Sequence, residues 1–337
     1  MQGNDNPRSV FVTAQDGLRL HAVAYGVQTA PTPPVAALPV VCLPGLTRTV
    51  ADFDALGPAL ANGKPGRRVI AIDSRGRGQS DYDKNPENYN VVTELGDVVA
   101  VLAALGISEA VFVGSSRGGL ITMLLAVAYP ALIAGAVLHD IGPVIEPKGL
   151  ARIKSYVGKL PQPRSLADGG ELLRRLFSDQ FPKLTSEDWL GAAQRAWKAN
   201  ADHELVPTYD VRLAQTLTEV DIERPLPSMW QEFDALARVP VLVIRGGLSD
   251  ILSVETVAGM KQHHPAMDVI EVADQGHVPV LAAGSELLGG IAAFVAECDA
   301  ADHLADHLAD HSAPNRTAQD GEALDPQAAA ARRWGQR

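Results

Sequence analysis

The chain has 337 residues, of which 46% are hydrophobic and 20% charged, a composition typical of a folded globular protein with a sizeable core. Its formal net charge of −11 argues against nucleic acid or an anionic lipid surface as a partner and favours a neutral small-molecule substrate. The N-terminal stretch lacks the apolar segment of a signal peptide, and no run of about 18 apolar residues could span a bilayer. We therefore expect a cytoplasmic protein that has no membrane partner. Nothing in the sequence indicates its oligomeric state.

The first elements predicted are two short strands around the turn Gln15-Asp16-Gly17, a pattern typical of a β-hairpin. After this hairpin, apolar runs without polar alternation predict strands that are buried on both faces, as in a parallel sheet. These runs are 39–43, 68–72, 110–113, 134–138, 239–244 and 267–272. Helical patterns separate them at 52–62, 91–105, 118–129, 254–263 and 286–297. The alternation predicts an α/β fold with a mostly parallel, doubly wound sheet, whose ligands bind at the carboxyl ends of the strands.

The alternation is interrupted between residues 142 and 237, where amphipathic helical segments replace the strand patterns. We interpret residues 142–237 as a helical cap inserted into a core formed by 1–141 and 238–298. Aromatic residues are concentrated in this cap, and the sequence leaves open whether they line a substrate pocket or pack inside the cap. The cap is also where substrate specificity is expected to reside.

The last segment, 299–337, is of low complexity and contains the repeat ADHLADHLADH. On a helix, His303, His307 and His311 would share one face, but a solvated helix end that leads into a disordered tail is the preferred interpretation. Two cysteines, Cys42 and Cys298, are far apart and indicate neither a disulfide framework nor a zinc site. We expect no bound metal.

The motif that carries chemistry is Gly114-Ser115-Ser116-Arg117-Gly118, which lies between an apolar strand and an apolar helix. Gly-x-Ser-x-Gly in this context is a nucleophile elbow, a sharp turn that exposes one serine hydroxyl and requires small neighbours. Glycine flanks Ser116 at both required positions, whereas Val113 and Arg117 would flank Ser115. Ser116 is therefore the predicted nucleophile.

With this motif and the order of strands and helices, residues 8–298 resemble the α/β-hydrolase superfamily, and in particular its carboxylesterase-like members with a helical cap. The resemblance implies a catalytic triad in the chain order nucleophile, acid, histidine. His277, on the loop after the predicted last strand, is the expected base. Asp250, on the loop after the strand VPVLVIRG, is the preferred acid, and Asp140 is the alternative, because some members carry the acid after an earlier strand.

The resemblance also implies an oxyanion hole made of two backbone N–H groups. Arg117, directly after the nucleophile, would supply one, and Leu46, in the loop Pro44-Gly45-Leu46-Thr47-Arg48, would supply the other. The glycine-rich stretch that begins at Asp73 lacks the third glycine and the immediate helix of a dinucleotide-binding fingerprint. We interpret that stretch as a tight turn under the site, in which Arg75 and Arg77 pair with nearby carboxylates.

Serine at the elbow implies hydrolysis through an acyl-enzyme, with an ester of a small, apolar substrate as the expected class and with no cofactor. The same triad would also serve a C–C bond hydrolase, a lactonase, a thioesterase or an acyltransferase. A small-molecule receptor built on the same scaffold is an alternative of a different class, because a fold does not establish a function.

Overall fold

The structure, a computed structural model, describes residues 7–26, 37–218 and 226–310, without the side chains of 302–310. The central strands are β1 Arg8–Thr13, β2 Arg19–Tyr25, β3 Val40–Leu43, β4 Val69–Asp73, β5 Ala110–Ser115, β6 Ile133–His139, β9 Val241–Gly246 and β10 Asp268–Val272. They form an eight-stranded sheet in the order β1-β2-β4-β3-β5-β6-β9-β10. Within this sheet, only the pairings of β2 with β1 and with β4 are antiparallel. The predicted doubly wound, mostly parallel sheet is confirmed.

Helices cover both faces of this sheet, which explains the apolar runs without polar alternation. The core helices are α1 Leu56–Ala61, α2 Val91–Ala104, α3 Arg117–Ala128, α8 Val254–His263 and α9 Glu286–Asp310. Successive residues of one strand serve opposite faces: in β5, Phe112 packs in one apolar cluster with α2 and α3, while Val111 and Val113 pack in another with α1 and α9. All residues of β3, β4, β5, β6 and β9 are buried.

The segment between β6 and β9 carries helices α4 Pro147–Tyr156, α5 Leu166–Phe177, α6 Ser186–Ala196 and α7 Trp230–Asp234, together with a short hairpin of β7 Trp197–Ala199 and β8 Leu205–Pro207. The amphipathic pattern of residues 187–199 predicts a helix, but α6 ends at Ala196 and residues 197–199 form the first strand of this hairpin. The turn of the hairpin explains the difference, because the side chain of Asn200 accepts hydrogen bonds from the N–H groups of Asp202 and Glu204. An asparagine that bonds nearby main-chain groups competes with a helix.

The aromatic residues of the cap include both buried and half-buried rings. Phe181, Trp189 and Trp197 are buried with Leu173 and Ala193 in one apolar cluster, so these rings stabilise the cap itself. By contrast, the half-buried rings of Tyr156 and Phe177 meet edge to face, 5.1 Å between centres. Of these five aromatic residues, only Tyr156 and Phe177 are exposed enough to contact a substrate without rearrangement of the cap interior.

The predicted turn after β4 ties this cap segment to the sheet. Gly76 and Gly78 have φ angles of 75° and 57°, the left-handed region that favours glycine. Main-chain hydrogen bonds join the turn to the cap, from Gly78 N to the Thr208 carbonyl at 2.7 Å and from Asp210 N to the Gly76 carbonyl at 2.8 Å. The turn is therefore a structural junction between core and cap.

The last helix is longer than the helical pattern of 286–297. Helix α9 continues through Asp299, whose carboxylate accepts hydrogen bonds from Arg67 at 3.0 and 2.9 Å, so this residue is anchored to the core. The side chains of His303 and His307 and the whole of His311 lie outside the described residues. Both cysteines are buried free thiols. Within the described ranges, no helix has the length and apolar character needed to cross a bilayer.

Candidate active site

The candidate site lies at the carboxyl ends of β3 and β5, where the direction of the winding reverses. From β3 the chain first goes to β4 on one side and then to β5 on the other, so these strand ends leave a crevice between them. Such a reversal is where open α/β sheets bind their ligands. Ser116 follows β5 directly, and Gly45 lies two residues beyond β3.

Ser116 has the strained main chain of a nucleophile elbow. Its φ of 49° and ψ of −112° are costly for a residue that carries a side chain. The hydrogen bond from Ser116 N to the His139 carbonyl, 3.0 Å, holds the turn against β6. The serine thus points its hydroxyl away from the sheet at the start of α3.

The two glycines of the motif allow strand and helix to approach this closely. A Cβ built on Gly114 would lie 2.6 Å from the main chain of Gly118, and one built on Gly118 would lie 2.1 Å from the Leu43 carbonyl oxygen. Both distances are far below normal contact, and the atoms in the way belong to the main chain. The structure therefore explains why the register of the motif requires glycine at 114 and 118.

This crowding leads to a prediction about stability. Gly118→Ala should lower the free energy of unfolding by about 1–3 kcal/mol or more, because the added methyl group displaces the end of β3. Gly289→Ala is the matched control, since Gly289 also lies in a helix but has nothing within 4 Å of its built Cβ. There we expect a gain of about 0.5–1 kcal/mol, the usual preference for alanine in a helix. Thermal or denaturant unfolding measures both, and an unchanged Gly118→Ala protein would contradict the packing described here.

The loop after β10 brings His277 onto Ser116. The Nε2 atom of His277 lies 2.8 Å from Ser116 Oγ, and its Nδ1 lies 2.7 Å from Asp140 Oδ2. A carboxylate can only accept, so Nδ1 carries the hydrogen and Nε2 is left free to accept the serine proton. The arrangement can therefore turn the Ser116 hydroxyl into a nucleophile.

Asp140 is held rigidly in this arrangement. It directly follows β6, is 0% exposed and has a φ of 56°. Its carboxylate also accepts hydrogen bonds from Gly246 N at 2.7 Å and from the Ser249 hydroxyl at 2.6 Å. With two donors besides the imidazole, the oxygens of this buried carboxylate have the hydrogen-bond partners that burial demands.

Asp250, the acid preferred from the sequence, does not contact His277; the structure gives that contact instead to Asp140, the alternative acid. The guanidinium of Arg152, on α4, binds both carboxylate oxygens of Asp250 at 2.7 and 2.8 Å. Burial acts to raise the pKa of Asp250, but the hydrogen bonds and charge of Arg152 outweigh it and hold that pKa below its ordinary value. Asp250 thus serves as an ion-pair partner of the cap.

The error has an identifiable cause. Strands β6 and β9 are neighbours in register, with His139 opposite Ile244, so both aspartates follow adjacent strand ends at one edge of the sheet. Asp140 comes directly after its strand, whereas Asp250 comes four residues after Gly246. The shorter distance from strand end to carboxylate was the available signal. Arg152, which binds the Asp250 carboxylate, lies far from Asp250 in the sequence, so no local pattern indicated this contact.

The two predicted oxyanion donors flank the elbow. Arg117 is the first residue of α3, and an N–H in the first turn of a helix has no acceptor within that helix. Leu46 follows Gly45, whose built Cβ would lie 3.7 Å from Ser116 Cβ, so the loop after β3 passes beside the nucleophile. The Leu46 carbonyl accepts a hydrogen bond from Arg77 Nε at 2.8 Å.

A second imidazole, that of His139, lies behind the site. Nδ1 of the fully buried His139 lies 2.7 Å from Ser115 Oγ, and burial lowers the pKa of His139 to about 4. His139 is therefore neutral near pH 7 and adds no charge beside Asp140. Ser115, which the register of the motif excludes as the nucleophile, thus has a structural hydrogen-bond partner in His139.

A second Ser–His–Asp arrangement occurs among β1, β2 and β4, on the β1 side of the sheet. The buried His21 has Nδ1 2.7 Å from Asp73 Oδ2 and Nε2 3.1 Å from Ser9 Oγ. Ser9 lies on the edge strand β1, which runs into a hairpin, whereas Ser116 immediately precedes a helix whose first N–H groups can bind an oxyanion. Asp73 is also occupied by the main-chain N–H groups of Val50 and Gln79. We interpret this second set as structural.

The fold and the elbow together define a class, the α/β hydrolases. In agreement, the chain matches the family model of the alpha/beta hydrolase fold over residues 39–282, more than half of its length. It therefore belongs to the α/β-hydrolase superfamily and is a hydrolase.

The chain is similar to several hydrolases of this family. It is 34% identical over 280 residues to a 3-hydroxybutyrate-oligomer hydrolase of Cupriavidus necator, covering 81% of this chain and 93% of that protein. It is 27% identical to an sn-1-specific diacylglycerol lipase of Danio rerio, covering 71% of this chain and 72% of the lipase. Among solved structures, an alpha/beta hydrolase from Novosphingobium aromaticivorans superposes with a TM-score of 0.76 at 38% identity, covering 87% of this chain and 99% of the other. The similarity to these hydrolases implies a small-molecule substrate.

Proposed function

We propose that this protein is a carboxylesterase-like serine hydrolase that cleaves a carboxylic ester of a small, apolar substrate through an acyl-enzyme on Ser116. The observation that carries the proposal is the placement of His277 Nε2 2.8 Å from Ser116 Oγ, with Asp140 on the other ring nitrogen. That geometry is required of a general base and of the group that orients it.

The chemistry proceeds in two halves. Ser116 Oγ attacks the ester carbonyl carbon while His277 takes its proton, and the N–H groups of Leu46 and Arg117 stabilise the oxyanion. When the tetrahedral intermediate collapses, His277 gives this proton to the leaving alcohol oxygen, and the acyl group remains on Ser116. Water then attacks the acyl-enzyme with His277 again as base, which releases the acid and restores the serine.

The substrate class is a short-chain ester, with linear 3-hydroxyacid oligomers as the first compounds to test. The similarity to the 3-hydroxybutyrate-oligomer hydrolase, which covers most of both chains, supports this choice. The cap supports an apolar acyl group: Arg152 pairs with Asp250, the neighbour of Ser249 at the site, and its guanidinium lies 5.9 Å from the ring centre of Phe177. The half-buried Phe177, and Tyr156 that contacts it, are thereby linked through Arg152 to the loop that carries Ser249 and Asp250.

Labelling and a substrate panel test the proposal. A fluorophosphonate should modify the wild-type protein, and peptide mass spectrometry should find the adduct on Ser116. p-Nitrophenyl acetate, butyrate and octanoate, the dimer and trimer of 3-hydroxybutyrate, a butyryl thioester and a β-diketone should then be compared by kcat/KM. We expect the short esters and the oligomers to be hydrolysed at least about tenfold faster than the β-diketone, since the ester leaving group takes the His277 proton on oxygen, whereas the β-diketone must break a C–C bond and be protonated on carbon.

Each failure points to another member of the alternatives. A preference for the thioester or the β-diketone would reassign the reaction while keeping the acyl-enzyme. A product ester formed from added alcohol in preference to the acid would identify an acyltransferase. Absence of both labelling and turnover with the wild-type protein would refute the serine-hydrolase proposal and favour a ligand receptor.

A further inference from the structure

The two segments that supply the proposed oxyanion donors are connected by a buried ion bridge formed by Arg77, Glu94 and Arg117. Strands β3 and β5 pair in register up to Leu43 and Gly114, but Leu46 and Arg117 both lie beyond the paired residues, so contacts outside the sheet also act on the distance between their N–H groups. An oxyanion hole requires both donors to be in place before the charge develops, because reorganisation at that moment is costly. The bridge supplies a direct physical connection between the two segments.

Every contact of the bridge is short. Arg77 Nε donates to the Leu46 carbonyl at 2.8 Å, and Arg77 Nη1 donates to Glu94 Oε1 at 2.7 Å. Glu94 Oε2 in turn accepts from Arg117 Nε at 2.7 Å, and Oε1 accepts from Arg117 Nη2 at 3.1 Å. One end of the bridge thus terminates on the peptide next to one donor, and the other end on the side chain of the second donor residue.

Burial makes this bridge stiff. Arg77 is 0% exposed and Glu94 1% exposed, so neither can exchange its partner for water. Burial acts to raise the pKa of Glu94, but the charges of Arg117 and Arg77 outweigh it and keep that pKa below its ordinary value. Glu94 is therefore an anion between two cations, and loss of either partner leaves a buried charge uncompensated.

A neighbouring ion cluster shows that the contact with the donors is particular to this bridge. Arg75, two residues before Arg77 and 1% exposed, binds carboxylates at 2.6, 2.7 and 2.8 Å, those of Asp97, Asp83 and Asp16. These partners lie in α2 and in the turns near the hairpin. The Arg75 side chain thus makes a comparable buried cluster on the same turn, directed away from Leu46 and Arg117.

We propose that Arg77 and Glu94 are positioning residues of the oxyanion hole: they hold the Leu46 peptide and the first turn of α3 at the separation at which both N–H groups reach one oxygen. This inference rests on the proposed acyl-enzyme reaction. It predicts that disturbing the bridge weakens binding of the tetrahedral state and leaves binding of the ground-state ester nearly unchanged.

The test compares Arg77→Lys and Glu94→Gln with the control Arg75→Lys. The readouts are the melting temperature, kcat, KM for a p-nitrophenyl ester and the inhibition constant of a trifluoromethyl ketone, which forms a tetrahedral adduct with an active serine. For Arg77→Lys and Glu94→Gln, we expect kcat to fall by about 10–100-fold, less than the loss of a whole donor. The inhibition constant should rise by the same factor, and KM should stay within about twofold.

Arg75→Lys should lower the melting temperature without altering kcat or the inhibition constant, because its contacts do not reach either donor. If the two bridge variants fail to fold, Arg117→Lys replaces them: its side chain is 15% exposed, and lysine cannot bind both Glu94 oxygens. There we expect a fall of about tenfold in kcat with a matching rise in the inhibition constant.

Folded variants with wild-type kcat and inhibition constant would overturn the inference. So would a fall in kcat without a change in the inhibition constant, which would indicate a general structural effect. Neither result touches the proposed function, whose failure would instead appear as a wild-type protein that shows neither labelling of Ser116 nor ester hydrolysis.

Discussion

Ser116→Ala is expected to lower kcat for ester hydrolysis by about 10⁶-fold, the size of loss seen when a hydrolase of this type loses its nucleophile. The reason is that Ser116 Oγ lies 2.8 Å from His277 Nε2, and no other hydroxyl in the described part of the chain is bonded to that nitrogen. Steady-state kinetics on a short p-nitrophenyl ester and fluorophosphonate labelling measure the effect. The melting temperature should change little, because the strained main chain at this position carries only a small side chain.

The chain provides a matched control for this experiment. Ser9 also contacts a histidine that contacts an aspartate, at 3.1 and 2.7 Å, but it lies on an extended edge strand. Ser9→Ala should therefore retain wild-type kcat and labelling. Substantial labelling of Ser9 in the Ser116→Ala protein, or loss of activity in Ser9→Ala, would mean that the wrong Ser–His–Asp set has been assigned to catalysis.

Asp140→Asn is expected to lower kcat by about 10⁴-fold, with little change in KM. The amide would present its NH₂ group or its oxygen to His277 Nδ1, and the first of these favours the tautomer that carries hydrogen on Nε2 and cannot accept the Ser116 proton. The imidazolium formed during attack would also lose the charge that lies 2.7 Å away. The kcat of the purified variant and its pH profile measure the effect.

Asp250→Asn distinguishes the corrected acid from the one first predicted. Because the Asp250 carboxylate is held by Arg152 and the carboxylate bonded to His277 is that of Asp140, kcat should stay within about tenfold of wild type. The variant should instead be less stable, since it leaves the half-buried Arg152 without its partner. A large loss of kcat in Asp250→Asn together with a mild one in Asp140→Asn would reverse the assignment.

Most of the fold could be predicted because most of its helices and strands show a local pattern of apolar residues. Continuous apolar runs mark strands that helices cover on both faces, and helix α8 was predicted at its observed bounds, Val254–His263. The hairpin β7–β8 was not predicted, because its strands are three residues long and follow a good helical pattern. Local patterns also could not show which cap aromatics face inward, since this depends on the packing of α5 against α6.

The candidate nucleophile and base were predictable for a different reason. The elbow needs small residues at fixed offsets, so the register of Gly114 and Gly118 selects Ser116 over Ser115 from the sequence alone. His277 was selected by its place after the last strand, a position that the chain order specifies. Ser116 is indicated by the short-range geometry of the elbow and His277 by the chain order that the family resemblance implies, and the structure brings the two side chains together.

The acid depended on the tertiary structure. Two aspartates follow adjacent parallel strands, and the sequence makes both of them eligible. A long-range contact distinguishes the two aspartates. Arg152, which lies in the cap 98 residues before Asp250 in the chain, binds the Asp250 carboxylate. Asp140 is left with Gly246, Ser249 and His277 as its partners. The elbow that exposes Ser116 is thus determined by the sequence, whereas the charge behind His277 is decided by which carboxylate the folded cap leaves available.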